Sequence, residues 1–133
     1  MRVHLEYGRT GLDVELPDRS VVRTLSCKSA SPLTDPNAAM RAVLHAPTGT
    51  PPLAQVAAGR RNACLLICDV TRPVPNEMML RPILRILEDS GIAREKILIL
   101  IATGLHRPNE GDELAEMVGR DIAENFRIEN HHG

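Results

Sequence analysis

The sequence predicts an α/β fold: a Rossmann-like, mostly parallel sheet flanked by helices, with an amino-terminal β-hairpin. Three observations carry this. Two stretches of strand length, Ala63–Cys68 and Lys96–Ile101, are apolar throughout except for the leading Lys96. Each is followed by a short polar loop and then by apolar residues at helical spacing, the strand–loop–helix rhythm of a parallel sheet. Finally, 43% of the 133 residues are hydrophobic but only 2% are aromatic, Tyr7 and Phe126 with no Trp. The core must therefore be built from Leu, Ile, Val, Ala and Met, which suits strands covered on both faces.

The elements follow in order. Val3, Leu5 and Tyr7 alternate with polar residues, Gly8-Arg9-Thr10-Gly11 marks a turn, and Leu12, Val14 and Leu16 alternate again, which gives a hairpin. Val21–Leu25 adds a third short strand after the Pro17-Asp18-Arg19 turn. Asp35 before Pro36 is an N-cap followed by a first-turn proline, starting a helix that runs to about His45. Pro52 opens a short helix through Ala58 that Gly59 ends. After the strand 63–68, Met79, Leu80, Ile83, Leu84 and Leu87 place a helix over about Asn76–Ser90, stopped by Gly91. After the second strand, a helix spans about Glu110–Val118, stopped by Gly119, and a last strand runs from Ala123 to Ile128. The expected organisation is one domain over 1–133, with a β segment at 1–25 and an α/β core at 35–128.

If the two central strands are parallel, both polar loops emerge at one edge, where open α/β sheets bind ligands. The first is Asp69-Val70-Thr71-Arg72-Pro73-Val74-Pro75. Asp69 offers a carboxylate, Thr71 a hydroxyl, and Arg72 a planar fork matched to a carboxylate or phosphate. Pro73 and Pro75 stiffen the turn. Taken alone, the loop also fits a solvated turn in which Asp69 caps the next helix or pairs with Arg72. The second is Ala102-Thr103-Gly104-Leu105-His106-Arg107-Pro108. Gly104 would let backbone approach a ligand, His106 could move a proton near neutral pH, and Arg107 could hold an anion. A loop histidine can also be exposed without a role, but a proton carrier beside an arginine clamp suits chemistry next to a carboxylate.

Other features bound the function. The formal net charge is −1, from 16 basic and 17 acidic residues, and gives no footprint for nucleic acid or an anionic membrane. No run approaches the roughly 20 apolar residues of a membrane span, and Met1–Glu6 lacks the apolar core of a signal peptide, so a cytoplasmic location is expected. Cys27, Cys64 and Cys68 do not suggest a disulfide framework. Cys64 and Cys68, four apart on one strand face, are expected to be buried as small apolar residues, and no metal site is read from them or from His131-His132. No phosphate-loop pattern occurs.

With those residues in view, the chain resembles the N-terminal domain of the nickel-dependent lactate racemase family. The likeness rests on Asp69–Pro75, on Ala102–Pro108, on the late Glu129-Asn130-His131, and on the leading β segment with Tyr7-Gly8. It implies racemisation or epimerisation of a 2-hydroxy acid by hydride transfer to and from a nickel pincer nucleotide, a pyridinium-derived mononucleotide tethered to a lysine. By the same resemblance, His106 would be one of two histidines that exchange the hydroxyl proton, and Arg72 would bind and polarise the substrate. Asp69 and Thr71 would lie beside the cofactor or support Arg72. In the family, the second histidine, the tethering lysine and the nickel-binding histidine lie further on, in a stretch containing Ser-Gly-Gly. That stretch is missing from these 133 residues, whose only lysines are Lys28 and Lys96. The expectation is a truncated enzyme domain that binds no cofactor and is inactive alone. Two other readings stay open: a nucleotide- or carboxylate-binding module without chemistry, and an interaction domain that self-associates through an exposed interdomain surface.

Overall fold

A computed structural model of the chain describes residues 1–20, 25 and 27–132. The chain forms two compact units, Met1–Pro32 and Leu33–Gly133.

In the first unit, β1 (Arg2–Leu5) pairs antiparallel with β2 (Leu12–Glu15), Val3 opposite Val14. The turn closes through the Gly11 N–H, which donates to the Tyr7 carbonyl at 2.9 Å, and Gly11 sits at φ +74°, a conformation that favours glycine. On the exposed face of the hairpin, Asp13 accepts from His4 Nδ1 at 2.9 Å and Arg2 Nη2 at 2.8 Å. The strand expected over Val21–Leu25 falls outside the described residues except for Leu25.

The second unit holds the sheet. Its elements are α1 (Pro36–His45), α2 (Leu53–Ala57), β3 (Ala63–Cys68), α3 (Asn76–Asp89), β4 (Ile97–Ala102), α4 (Gly111–Val118), α5 (Arg120–Asn125) and β5 (Arg127–Asn130). Strands β3, β4 and β5 lie side by side in chain order, all parallel. The α1 start is as the sequence predicts: Asp35 is the N-cap, its carboxylate accepts the Ala38 N–H at 2.8 Å, and Pro36 is first in the helix.

One segment differs from its expected form. Residues 120–125 are helical, and the last strand begins only at Arg127. Gly119, at φ +90°, ends α4 and lets α5 start at the next residue.

The core lies on one face of the sheet. Ile97, Ile99 and Ile101 of β4 are fully buried. Ile97 and Ile99 pack with Leu80, Leu84 and Leu87 of α3, Val118 of α4, Ile122 of α5 and Ala57 of α2. The α3 residues recur every three or four positions, so one stripe of the helix enters the core. The opposite sheet face is not covered in the same way. Along β3, exposure alternates strictly, and Cys64, Leu66 and Cys68 are exposed, Leu66 to 68%. The expected burial of β3 on both faces, and of both cysteines, is therefore not met: the apolar run is real, but helices cover only the side of Ala63, Leu65 and Ile67.

No helix among the described residues is long and apolar enough to cross a membrane.

This one-sided core makes a contrast measurable by urea denaturation. Ile99→Ala should cost about 2–5 kcal/mol, the usual range for emptying a buried aliphatic site. Leu66→Ser, on the open face, should stay within about 0.5 kcal/mol. Equal losses at the two positions would mean that both faces are packed.

Candidate functional site

The parallel register fixes where the two loops meet. Cys68 is paired with Ala102, so Asp69 and Thr103 leave the sheet side by side. Both are buried, at 4% and 3% exposure. A carboxylate in that position needs hydrogen-bond donors, and the two loops supply them.

The first loop is a stack of tight turns. The Arg72 N–H donates to the Asp69 carbonyl at 3.2 Å, while Asp69 Oδ1 accepts from the Thr71 N–H at 3.2 Å and from Thr71 Oγ1 at 2.7 Å. This is an Asx turn, in which the side chain imitates backbone. Next, Val74 N–H donates to the Arg72 carbonyl and Asn76 N–H to the Val74 carbonyl, both at 2.8 Å. Each of these three-residue turns is centred on a proline. Pro75, at φ −76° and ψ 65°, has the geometry of an inverse γ-turn. The two prolines thus hold the loop in one path up to the start of α3.

The second loop turns at Gly104, where His106 N–H donates to the Thr103 carbonyl at 3.0 Å. Gly104 has φ +58°, and a Cβ there would meet nothing within 4 Å. What the structure shows it to supply is the turn conformation. Thr103 Oγ1 donates to the His131 carbonyl, and His131 N–H donates to the Ile101 carbonyl at 2.9 Å, so the segment after β5 is tied to the base of this loop.

Across the two loops, His106 Nδ1 lies 2.5 Å from Asp69 Oδ2. The Thr71 hydroxyl and His106 hold the Asp69 carboxyl below the usual carboxylate range. Asp69 is therefore ionised at neutral pH and only accepts, which makes Nδ1 the protonated nitrogen of the neutral imidazole. In that neutral form Nε2 carries a lone pair, on a side chain that is 54% exposed. This is the arrangement of an oriented base: a carboxylate fixes the tautomer, and the other nitrogen is free to take a proton.

Of the residues singled out in the sequence, Asp69, Thr71 and His106 come together directly. Arg72 follows in the same turn, but its exposed guanidinium lines a neighbouring cavity of about 440 Å³ between the start of α3 and α4, which Asp69 and His106 do not line. No hydrogen bond or ion pair of that guanidinium is found among the described residues. Arg107, expected as an anion holder, is already committed: its two terminal nitrogens donate to Glu113 at 2.8 and 2.7 Å. Asp69 neither caps α3 nor pairs with the Arg72 side chain.

Asn109 and Asn76, which sequence reasoning missed, complete the surroundings together with Asn130 of the late Glu129-Asn130-His131 segment. Asn109 is 1% exposed. Its backbone N–H donates to Asn130 Oδ1 at 2.9 Å, and its carbonyl accepts from Asn130 Nδ2 at 3.1 Å. Asn76, at the start of α3, is buried with its Nδ2 unpartnered, the one such side-chain atom among the described residues. It lines the same cavity as Arg72. The available signal was weak: asparagines beside a turn and at a helix start usually satisfy local backbone.

A family model described as the lactate racemase N-terminal domain matches residues 7–133. The lactate racemases of Thermoanaerobacterium thermosaccharolyticum and Lactiplantibacillus plantarum are 31% and 30% identical over 132 residues, 97% of this chain in each case. The solved lactate racemase apoprotein from Thermoanaerobacterium thermosaccharolyticum matches with a TM-score of 0.76 at 29% identity, over 99% of this chain and 30% of that one. The chain thus spans about 30% of the length of the relatives it matches.

The loop network sets a pH dependence. Hydrogen bonds from Arg107 and then from Asn109 lower the Glu113 carboxyl to about 2, against roughly 4.3 in an unfolded chain. A depressed folded value stabilises the fold above the unfolded value, and that contribution is lost as the pH falls through the folded one. Stability followed by circular dichroism should therefore decline between about pH 4 and pH 2, and Glu113→Gln should make that decline shallower. An unchanged slope in the variant would remove Glu113 from the network.

Proposed function

The chain belongs to the lactate racemase N-terminal domain family, and on that premise we propose that it supplies one part of the active site of a 2-hydroxy-acid racemase, an isomerase. The observation that carries the reading is the Asp69–His106 contact at Nδ1, on an imidazole that is half exposed. His106 would take the hydroxyl proton of the substrate at Nε2 and later return it, with Asp69 stabilising the imidazolium that forms in between. Thr71 would keep Asp69 in place. Arg72, which lines the same cavity as Asn76 and has no side-chain partner among the described residues, would receive an anionic group, the substrate carboxylate being the chemical match.

The family resemblance also implies a nickel pincer nucleotide, and the residues fit it only in part. Arg72 and Asn76 suit an anion, in a cavity that Glu77, Glu113 and Glu116 also line, the first two paired with Arg81 and Arg107. No group of three His, Cys, Asp or Glu side chains among the described residues could hold a metal ion, so these residues do not fit the nickel. In the proposed enzyme the metal would be held by other parts of the protein, and the share of this chain is binding and proton handling. Its substrate is a small 2-hydroxy acid, and activity would require the remainder of a full-length racemase.

The test is a chimera in which this chain replaces the matching segment of the Thermoanaerobacterium thermosaccharolyticum lactate racemase, assayed for interconversion of D- and L-lactate. His106→Ala should lower kcat by roughly 10²–10⁴-fold, the usual worth of a positioned acid–base group. Arg72→Ala should act mainly on KM. A His106→Ala chimera with parental turnover would refute the assigned role. Binding without chemistry would appear as lactate-induced NMR shifts around Arg72 in the 133-residue chain, with no turnover in any chimera.

A further inference from the structure

We propose that Asn109 is a positioning residue that sets the geometry of the Asp69–His106 pair, a role that rests on the reading of that pair as an oriented base. The two loops leave adjacent strands, and the Asp69–His106 contact alone would join them at one point, on the exposed side. A single point leaves each loop free to turn about it. Asn109 makes a second junction on the buried side. Its Oδ1 accepts the N–H of Val70, the residue after Asp69, at 3.3 Å, and Asn109 itself lies three residues after His106. The pair is thus spanned twice, once by its own contact and once by Asn109.

Asn109 can act in this way because it is itself held. The Asn130 carboxamide pairs with both its backbone N–H and its carbonyl, which ties it to β5. Its Nδ2 donates to Glu113 Oε1 at 2.8 Å, which ties it to α4, and Arg107 donates to both oxygens of the same carboxylate. Asn109 itself is 1% exposed, so its carboxamide depends on these protein partners. The position requires an acceptor toward Val70 and a donor toward Glu113 at once. A carboxamide provides both. A carboxylate keeps the acceptor but turns a second negative charge toward Glu113, and an aliphatic side chain keeps neither.

The tautomer of His106 reports the geometry directly and needs no substrate or cofactor. It is read from the imidazole ¹⁵N shifts of the 133-residue chain at a pH high enough for the imidazole to be neutral. The parent should show Nδ1 protonated and Nε2 bare. In Asn109→Leu, with the fold checked by its amide spectrum, the Nε2–H form that a free imidazole prefers should become the major species. Asn109→Asp, which still accepts from Val70, should restore the parental tautomer while the Glu113 carboxyl titrates at higher pH than in the parent. A folded Asn109→Leu chain with the parental tautomer would overturn the proposal. So would loss of that tautomer in Asn109→Asp, a variant that remains informative if the Leu variant does not fold. A parent already lacking the Nδ1–H form would instead sink the oriented-base reading, and this inference with it.

Discussion

A buried carboxylate that must be satisfied is the constraint around which the sheet edge is organised. Asp69 sits at the end of β3 with 4% exposure, where an unpaired charge would be costly. Its own loop satisfies one oxygen, through the backbone and hydroxyl of Thr71. The neighbouring loop satisfies the other, with His106. The need for a donor in the second loop and the orientation of the imidazole are thus the same fact.

That economy depends on the parallel pairing of β3 and β4. With Cys68 opposite Ala102, the two loops begin level with each other. A shift by one residue would also reverse which side chains face the helices, so the buried row of Ile97, Ile99 and Ile101 locks the register that the site uses. The core and the site are coupled in this sense: the register locked by the isoleucines of β4 brings His106 within reach of Asp69. Beyond the loops, Thr103 bonded to the His131 carbonyl and Asn130 clasped to Asn109 bring in the segment at the end of β5.

Much of this was legible in the sequence, for physical reasons that act over short distances. Asp35-Pro36 marks a helix start because both residues act on their own first turn. The apolar spacing of α3 and the apolar run of β4 reflect the burial that each then shows. The pairing of the two loops at one edge followed from the strand–helix rhythm. What could not be read were properties set by neighbours distant in sequence. The β3 run gives no sign that Cys64, Leu66 and Cys68 lack a covering layer, because an apolar run does not record how many faces are packed. Residues 120–125 form a helix because Gly119 lets the chain start a new turn at once. Arg107 is drawn to Glu113 by the return of the chain into α4, and the Asn109–Asn130 clasp joins residues 21 apart.

The central claim is that Asp69 and His106 act as one unit across the two strand ends. It is tested most directly by a double-mutant cycle on the stability of the chain at neutral pH, with Asp69→Asn, His106→Gln and the two combined. If the pair is coupled, the double variant loses clearly less stability than the sum of the two single losses. Strict additivity would contradict the claim, since two side chains that do not depend on each other carry no shared term.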